Sequence, residues 1–176
     1  SLEGQDGLDE VVVVDDGSVD GTWDRLLQTQ FPVPLVTLRN QSSIGQAATW
    51  NAGAAAASGD LLIFLDGDYL AGPGLVAAHK RTHAAADNLV GRGETWHLRC
   101  TRFLSDPETG EFWPHEHERA VQTGEQERDR MRISIAQVRH DFAAVHARAA
   151  PGCYPGIGPK RLHETEMRML NADPPS

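Results

Sequence analysis

Two apolar runs in this chain each end in acidic residues, and this feature limits the possible folds more than any other. In EVVVVDDGSVDGT, four valines end at Asp15 and Asp16. In LLIFLDGDYL, five apolar residues that begin at Leu61 lead to Asp66 and Asp68. Continuous runs of this kind are typical of strands in a parallel sheet that is covered on both faces. The chain is therefore expected to end two buried strands in carboxylates.

The first half of the chain predicts alternating strands and helices. We predict strands at residues 11–14, 35–38, 61–65 and 88–90, and helices at residues 21–30, 43–58 and 73–87. The first helix is expected to bury Trp23, Leu26 and Leu27, and Gly59 is expected to cap the second. Such alternation is typical of the α/β class, with a mainly parallel, twisted sheet and flanking helices.

The second half is less regular. Residues 94–124 are rich in glycine, proline, histidine and acidic residues, which favours a long loop or an insertion. Residues 128–150 predict one helix, and residues 151–161 predict a loop before a further helix start in HETEMRML. The apolar stripe expected along the helix at 128–150 consists of Met131, Ile135, Val138, Phe142 and Val145.

Charge and composition exclude several classes of function. The formal net charge of -9 argues against a surface that binds nucleic acid, and an anionic ligand would need a local cation. The 2 cysteines are too few for a disulfide framework and favour a reducing compartment. Because no apolar run is long enough to span a bilayer, we expect no transmembrane segment. The expected location is the cytoplasm, with any attachment to the inner face of the membrane made through other parts or partners.

The acidic ends of the two apolar runs suggest a metal site. Loops at the carboxyl ends of parallel strands lie at one edge of the sheet, where ligands bind. Asp66 and Asp68 offer oxygen ligands suited to Mg²⁺ or Mn²⁺, and Gly67 lets the backbone bend so that the carboxylates converge. The metal could then bind an anionic diphosphate to an acidic protein. The alternative is an ordinary turn, and DDGSVDG likewise has the alternative of a turn and a helix cap.

Three motifs in a fixed order resemble the family 2 glycosyltransferases of the GT-A fold. They are EVVVVDDGSVDGT, NQSSIGQAATWNAGAAAASGD and LLIFLDGDYL. The middle motif matches at Gly45, Ala48, Asn51 and Gly53. The resemblance implies an inverting, metal-dependent enzyme that moves a sugar from a nucleotide-diphosphate donor, by preference UDP-linked, to the hydroxyl of a saccharide or other acceptor.

The resemblance also implies nucleotide contacts. Asp16 is expected to accept a hydrogen bond from the base, and Asp15 to support the turn or the ribose. Gly45 and Asn51 belong to the helix start that approaches the diphosphate in the family. Many relatives have arginine or lysine where this chain has Trp50, which removes one expected phosphate or base contact.

The third motif is expected to bind the implied metal, Mn²⁺ or Mg²⁺. Asp66 and Asp68 are the expected ligands, and Asp66 and Gly67 are also expected to lie against the nucleotide. Some enzymes with this fold add a histidine as a third ligand. His163 and His140 are the candidates, and the sequence does not choose between them.

The catalytic base is expected to be a carboxylate that deprotonates the acceptor hydroxyl. The family usually supplies it near a helix start, and the nearest match is Glu164 in HETE. Asp141 is the second candidate, and an ordinary solvated helix face is the alternative reading of both. Trp96 lies where relatives place sugar contacts, although a core tryptophan fits equally well.

The resemblance divides the chain in two and explains its first residues. Residues 1–93 match the nucleotide-sugar-binding part of a single GT-A-like domain, and residues 94–176 are assigned to the acceptor side. SLEGQ matches the end of a helix that follows the first strand of family members. That strand lies between those predicted at 11–14 and 61–65, so the 176 residues alone are expected to fold poorly.

Two other functions stay open from the sequence. A GT-A-like domain that has lost catalysis would serve as a binding or regulatory module. A sugar nucleotidyltransferase shares the sheet type, but it would need a glycine-rich, basic triphosphate loop near its amino end, and this sequence has none.

Overall fold

The first two strands form a parallel pair, as their sequence predicts. The computed structural model describes residues 1–86, 88–91, 93, 95–98 and 101–151. Strand β1 spans Val11–Asp15 and β2 spans Leu35–Arg39, and they pair in parallel over their whole lengths. Branched apolar residues favour such pleated surfaces. Because β1 and β2 are parallel, the side chains that follow both strands lie at one edge.

Helix α1, Thr22–Gln28, connects the two strands, and it is less buried than predicted. Trp23 and Leu26 are half-buried, whereas Leu27 is 59% exposed. The expected burial of Leu27 is therefore wrong. The helix is short and packs only one narrow face, and position 27 lies outside that face.

Helix α2, Gln46–Ala56, packs closely on β1. A Cβ atom added at Gly53 would lie 3.2 Å from Cγ2 of Val14, so glycine permits this close approach. The helix is shorter than the predicted span of 43–58. Its C-terminal cap is Ala57 in an extended conformation. The predicted cap at Gly59 is wrong, because its N–H donates to the Glu10 carboxylate (3.0 Å) and not to the helix.

The third predicted strand, 61–65, is wrong for this structure. Leu61 lies in a bend, the other four residues have no regular structure, and no strand pairs with them in the part of the chain that is described. Half-buried and exposed residues alternate along it, with Leu62 41% and Phe64 51% exposed. The short strand predicted at 88–90 is also wrong, because Asn88 lies in a turn with φ of 52°.

Helix α3, Leu75–His83, is held at its start by the amino-terminal peptide. Gln5 is buried, and its amide group donates to the Gly72 carbonyl (2.8 Å) and accepts from the Val76 N–H (3.2 Å). The helix is shorter than the predicted span of 73–87. The Gln5 side chain thus satisfies one of the N–H groups that a helix start leaves unpaired.

The chain divides into two compact units, Ser1–Asp87 and Asn88–Ser176. In the second unit, β3 (Trp96–His97) pairs antiparallel with β6 (Ala150–Pro151). Strand β4 (Leu104–Asp106) pairs antiparallel with β5 (Glu111–Phe112). Short 3₁₀ turns at Thr101–Phe103 and Pro114–Glu116 and helix α4, His117–Gln122, complete this region. Of the two expectations for 94–124, a long loop or an insertion, the long loop is therefore wrong.

Three short helices replace the single helix predicted at 128–150. They are α5 (Glu125–Met131), α6 (Ile135–His140) and α7 (Phe142–His146). Ser134 caps α6 in a capping box with Gln137, and Asp141 caps α7. Each cap offers the backbone a local partner that competes with a continuous helix. The predicted stripe is therefore broken: Met131 and Val145 are buried, but Ile135 is 54% exposed.

The core of the second unit lies around the β4–β5 hairpin. Leu104, Phe112 and Met131 form a buried cluster, with Phe103 and Ala120 packed against it. Within the described residues, no helix has the length and apolar character needed to cross a bilayer.

Candidate functional site

The acidic end of β1 begins with a buried carboxylate that pairs with a partly exposed arginine. The Asp15 side chain is only 1% exposed, and its Oδ1 accepts a hydrogen bond from the Ser18 N–H (2.9 Å). Its Oδ2 lies 3.2 Å from Nε of Arg39 but accepts no hydrogen bond from the described residues. Arg39 also donates to the Ser18 carbonyl and stacks on the Trp23 ring. Asp15 thus holds the turn that follows β1.

Glycine is required at the next turn position. Gly17 has φ of 83°, and a Cβ added there would lie 2.8 Å from the backbone carbon of Ser42. Any side chain would therefore meet both an unfavourable dihedral angle and a backbone atom. This close approach brings the turn after β1 against the loop at residues 40–45, which connects β2 to α2.

Asp16 binds that loop through both carboxylate oxygens. Oδ1 accepts from Nδ2 of Asn40 (2.7 Å) and the N–H of Ile44 (3.0 Å), and Oδ2 accepts from Oγ of Ser43 (2.7 Å) and the N–H of Gly45 (3.1 Å). The Ile44 N–H, followed by the Ser43 hydroxyl and the Asn40 amide, holds the pKa of Asp16 far below its usual range. A carboxylate offers about four lone-pair sites, so this one is fully used.

The second acidic motif is connected to the loop at 40–45 by a hydrogen bond from the first residue of α2. Gly45, with φ of 90°, stands at the N-terminal cap of α2. The next residue, Gln46, donates from Nε2 to Oδ1 of Asp66 (2.9 Å). Hydrogen bonds therefore run from Asp16 through the start of α2 to Asp66. Asn51, the other predicted contact on α2, is exposed.

Asp66, Gly67 and Asp68 form an open turn with two carboxylates. Asp66 is half-buried and Asp68 is exposed. Gly67 has no positive φ, and a Cβ there would meet nothing within 4 Å, so this turn does not require glycine. The described residues contain no group of three His, Cys, Asp or Glu placed to hold a metal. Two oxygen ligands still fit a hard cation that takes its other ligands from water and phosphate.

Of the two predicted catalytic bases, one lies among the described residues. Glu164 and the candidate metal ligand His163 lie outside the described residues. Asp141 is exposed in the second unit, where its Oδ1 accepts from the Ala144 N–H (3.2 Å) at the start of α7. His140, the last residue of α6, is also exposed. Trp96 is 40% exposed and packs its ring 4.5 Å from that of His146.

Three residues of the site were missed by sequence reasoning. Asn40 and Ser43 bind Asp16, and Gln46 binds Asp66. The only available signal was the polar run NQSS after β2, which indicates a loop rich in hydrogen-bonding groups. Nothing in the run identifies the carboxylate that those groups would bind.

An α/β unit whose acidic turns meet at the carboxyl end of a parallel strand pair belongs to the class of folds that bind ligands at that edge. The sequence model of glycosyl transferase family 2 matches residues 1–150, and the chain belongs to this family. The family implies a GT-A α/β fold. The described sheets have only two strands each, so an extended twisted sheet is not seen among the described residues.

Two curated relatives carry names that agree with this family. The chain is 42% identical over 87 residues to the uncharacterized glycosyltransferase YfnE of Bacillus subtilis, covering 49% of this chain and 22% of that protein. It is 43% identical over 60 residues to an uncharacterized glycosyltransferase of Nostoc sp., covering 34% of this chain and 19% of that protein. The chain thus matches about a fifth of each relative's length. No solved structure matches it.

Proposed function

We propose that the protein is a glycosyltransferase that moves a sugar from a nucleotide-diphosphate donor, by preference UDP-linked, to an acceptor hydroxyl. The observation that carries this proposal is the run of hydrogen bonds from Asp16 through Gly45 and Gln46 to Asp66. It joins the three motifs that the family resemblance assigns to nucleotide, diphosphate and metal. Family membership and the names of both relatives support the same activity.

Asp66 and Asp68 would hold Mn²⁺ or Mg²⁺. The metal, when bound, would neutralise the negative charge that develops on the leaving diphosphate. Both carboxylates follow the apolar segment 61–65, and Asp68 has the greater exposure of the two. A protein with a formal net charge of -9 needs such a local cation to attract a diphosphate.

Asp16 would act on the nucleotide through the loop that it binds. The predicted hydrogen bond from the base to Asp16 would have to displace one of four existing donors. We therefore assign Asp16 to holding the loop at 40–45 and the start of α2, where Gly45 and Asn51 are expected to approach the diphosphate. Asp15 would act indirectly: with Ser18 and Arg39, it would hold the turn that carries Asp16.

The transfer would be a single in-line displacement with inversion. A carboxylate takes the proton of the acceptor hydroxyl, the hydroxyl oxygen bonds to the anomeric carbon, and the bond from that carbon to the diphosphate breaks. Glu164 remains the preferred base and Asp141 the second candidate. If Asp141 were the base, it would have to give up the hydrogen bond from the Ala144 N–H that caps α7.

Calorimetric titration with UDP, with and without Mn²⁺, tests the proposal. We expect Mn²⁺ to tighten UDP binding, and Asp68→Ala to abolish that dependence without changing the fold. Asp24→Ala, which removes an exposed carboxylate on α1, is the matched control. If UDP affinity does not depend on Mn²⁺, or if Asp68→Ala retains that dependence, then Asp66 and Asp68 are not the metal ligands proposed.

One observation favours a second function, a GT-A-like binding module without catalysis. Trp50, which stands where many relatives have a cationic residue, packs its ring 5.3 Å from that of Phe64. Its side chain is thus engaged in an apolar contact in place of a phosphate contact. A protein that binds a UDP-sugar with Mn²⁺ but releases no UDP, with or without acceptors, would have this second function.

A further inference from the structure

The contact between Gln46 and Asp66 stands out because it joins two motifs that the sequence presents separately. Nε2 of Gln46 lies 2.9 Å from Oδ1 of Asp66, although 20 residues separate them. Both residues are close to the surface, so packing alone does not force the contact. The second oxygen of Asp66 accepts no hydrogen bond from the residues that the structure describes, which leaves it available to a ligand.

The position of Gln46 is itself fixed by Asp16. Gly45 and Ile44, which directly precede Gln46, donate their N–H groups to the Asp16 carboxylate at 3.1 and 3.0 Å. The backbone that carries Gln46 is thus held at the end of β1. In contrast, the segment that carries Asp66 forms no strand pairing in the described part of the chain. The side-chain amide therefore connects a fixed element to one that lacks a hydrogen-bond ladder.

We propose that Gln46 is a positioning residue for the metal site. It holds one oxygen of Asp66 through a charge-assisted hydrogen bond, so that the carboxylate is oriented before a divalent cation binds. Gln46 suits this role because its amide donates a hydrogen bond without adding a positive charge that would compete with the cation. This inference rests on the proposed function, since it requires Asp66 to be a ligand.

The experiment measures Mn²⁺ affinity in the presence of UDP, by the electron paramagnetic resonance signal of free Mn²⁺. Gln46→Ala is expected to weaken Mn²⁺ binding about fivefold at an unchanged melting temperature, the loss typical of one hydrogen bond at an open site. Gln28→Ala, which removes an exposed glutamine at the end of α1, is the matched control and should leave the affinity unchanged.

A second pair of variants separates positioning from a general structural effect. If Gln46 acts through Asp66, then Gln46→Ala should change nothing further in an Asp66→Asn background. An equal loss in that background would overturn the inference. So would an unchanged affinity in Gln46→Ala while Asp68→Ala abolishes binding, and the proposed function would then stand. If the unaltered protein with UDP binds no Mn²⁺, the metal-dependent function is wrong and the inference falls with it.

Discussion

The segments Val11–Asp15 and 61–65 have nearly the same sequence character but different structures. Both are five residues of mostly aliphatic side chains that lead into carboxylates. The first is a strand paired along its length with β2, whereas the second has no regular structure and no strand partner among the described residues. The difference teaches that an apolar run does not by itself specify a strand, because a strand also needs a neighbour to pair with.

The largest difference is expected at the glycines of the two acidic turns. Gly17→Ala should destabilise the protein by about 2–4 kcal/mol, because it combines a left-handed dihedral angle with a backbone clash at Ser42. Gly67→Ala should change stability by less than about 0.5 kcal/mol, since its surroundings are open. Chemical denaturation of both variants measures the difference. Equal effects would mean that the two turns are equally constrained, contrary to the structure.

The next difference concerns the first carboxylate of each turn. Asp15→Asn should cost about 1–3 kcal/mol, because it neutralises a buried carboxylate that pairs with the partly exposed Arg39 and accepts from the Ser18 N–H. Asp66→Asn should cost less than about 0.5 kcal/mol in the absence of metal, since its one described side-chain contact is an exposed hydrogen bond that asparagine can still accept. Thermal denaturation without divalent cations checks both values. A larger loss for Asp66→Asn would show that the second turn is the more rigid one.

Hydrogen exchange should show the same contrast in the backbone. The N–H of Val11 donates to the Pro34 carbonyl and that of Asn40 to the Asp15 carbonyl, at 2.9 and 2.8 Å. Amides at 61–65 donate to no backbone carbonyl among the described residues. We expect amides at 61–65 to exchange at least about tenfold faster. Comparable protection would reveal a strand partner beside that segment.

The smallest effect is expected from acid. The pKa of Asp16 is lower in the folded protein than in the unfolded chain, so its contribution to stability is present above about pH 4 and is lost as the pH falls below that value. Asp16→Asn should therefore flatten the pH dependence of stability between about pH 4 and pH 2. Urea titrations across this range measure the slope. An unaltered slope would show that the loop at 40–45 is held by other contacts.

The sequence predicted those parts of the molecule whose structure is specified by their own residues. The β-branched run at 11–14, the strand at 35–38 and the acidic turns could be read directly. The strand predicted at 61–65 is wrong among the described residues, because pairing depends on a neighbour that its own residues do not specify. The helix predicted at 128–150 failed because Ser134 and Asp141 cap new helices within it.

The sequence identified the acidic residues of the candidate site, but neither the polar residues that bind them nor the hydrogen bonds between them. Asp16 and Asp66 were both identified, yet the hydrogen bonds from Asp16 to Ile44 and from Gln46 to Asp66 span 28 and 20 residues. Contacts at such separations depend on how the strands and helices pack, which periodicity does not encode. For the same reason, the sequence suggested that Asp16 contacts the nucleotide base, whereas in the structure its carboxylate accepts four hydrogen bonds from the loop at 40–45.

Glu10, immediately before β1, has a consequence for the order of folding. Its Oε1 accepts from the N–H of Ser58, the hydroxyl of Ser58 and the N–H of Gly59, just before the unpaired segment at 61–65 begins. The contact closes a separation of 48 residues that contains β1, β2 and two helices. Such a distant contact forms after the local elements have assembled, so it should be largely absent from the folding transition state. Glu10→Ala should therefore accelerate unfolding and leave the refolding rate nearly unchanged in stopped-flow experiments, and a slowed refolding limb would place this contact early. With the expected result, the Glu10 carboxylate sets how long the segment after α2 stays attached to the start of β1, and not how quickly the two come together.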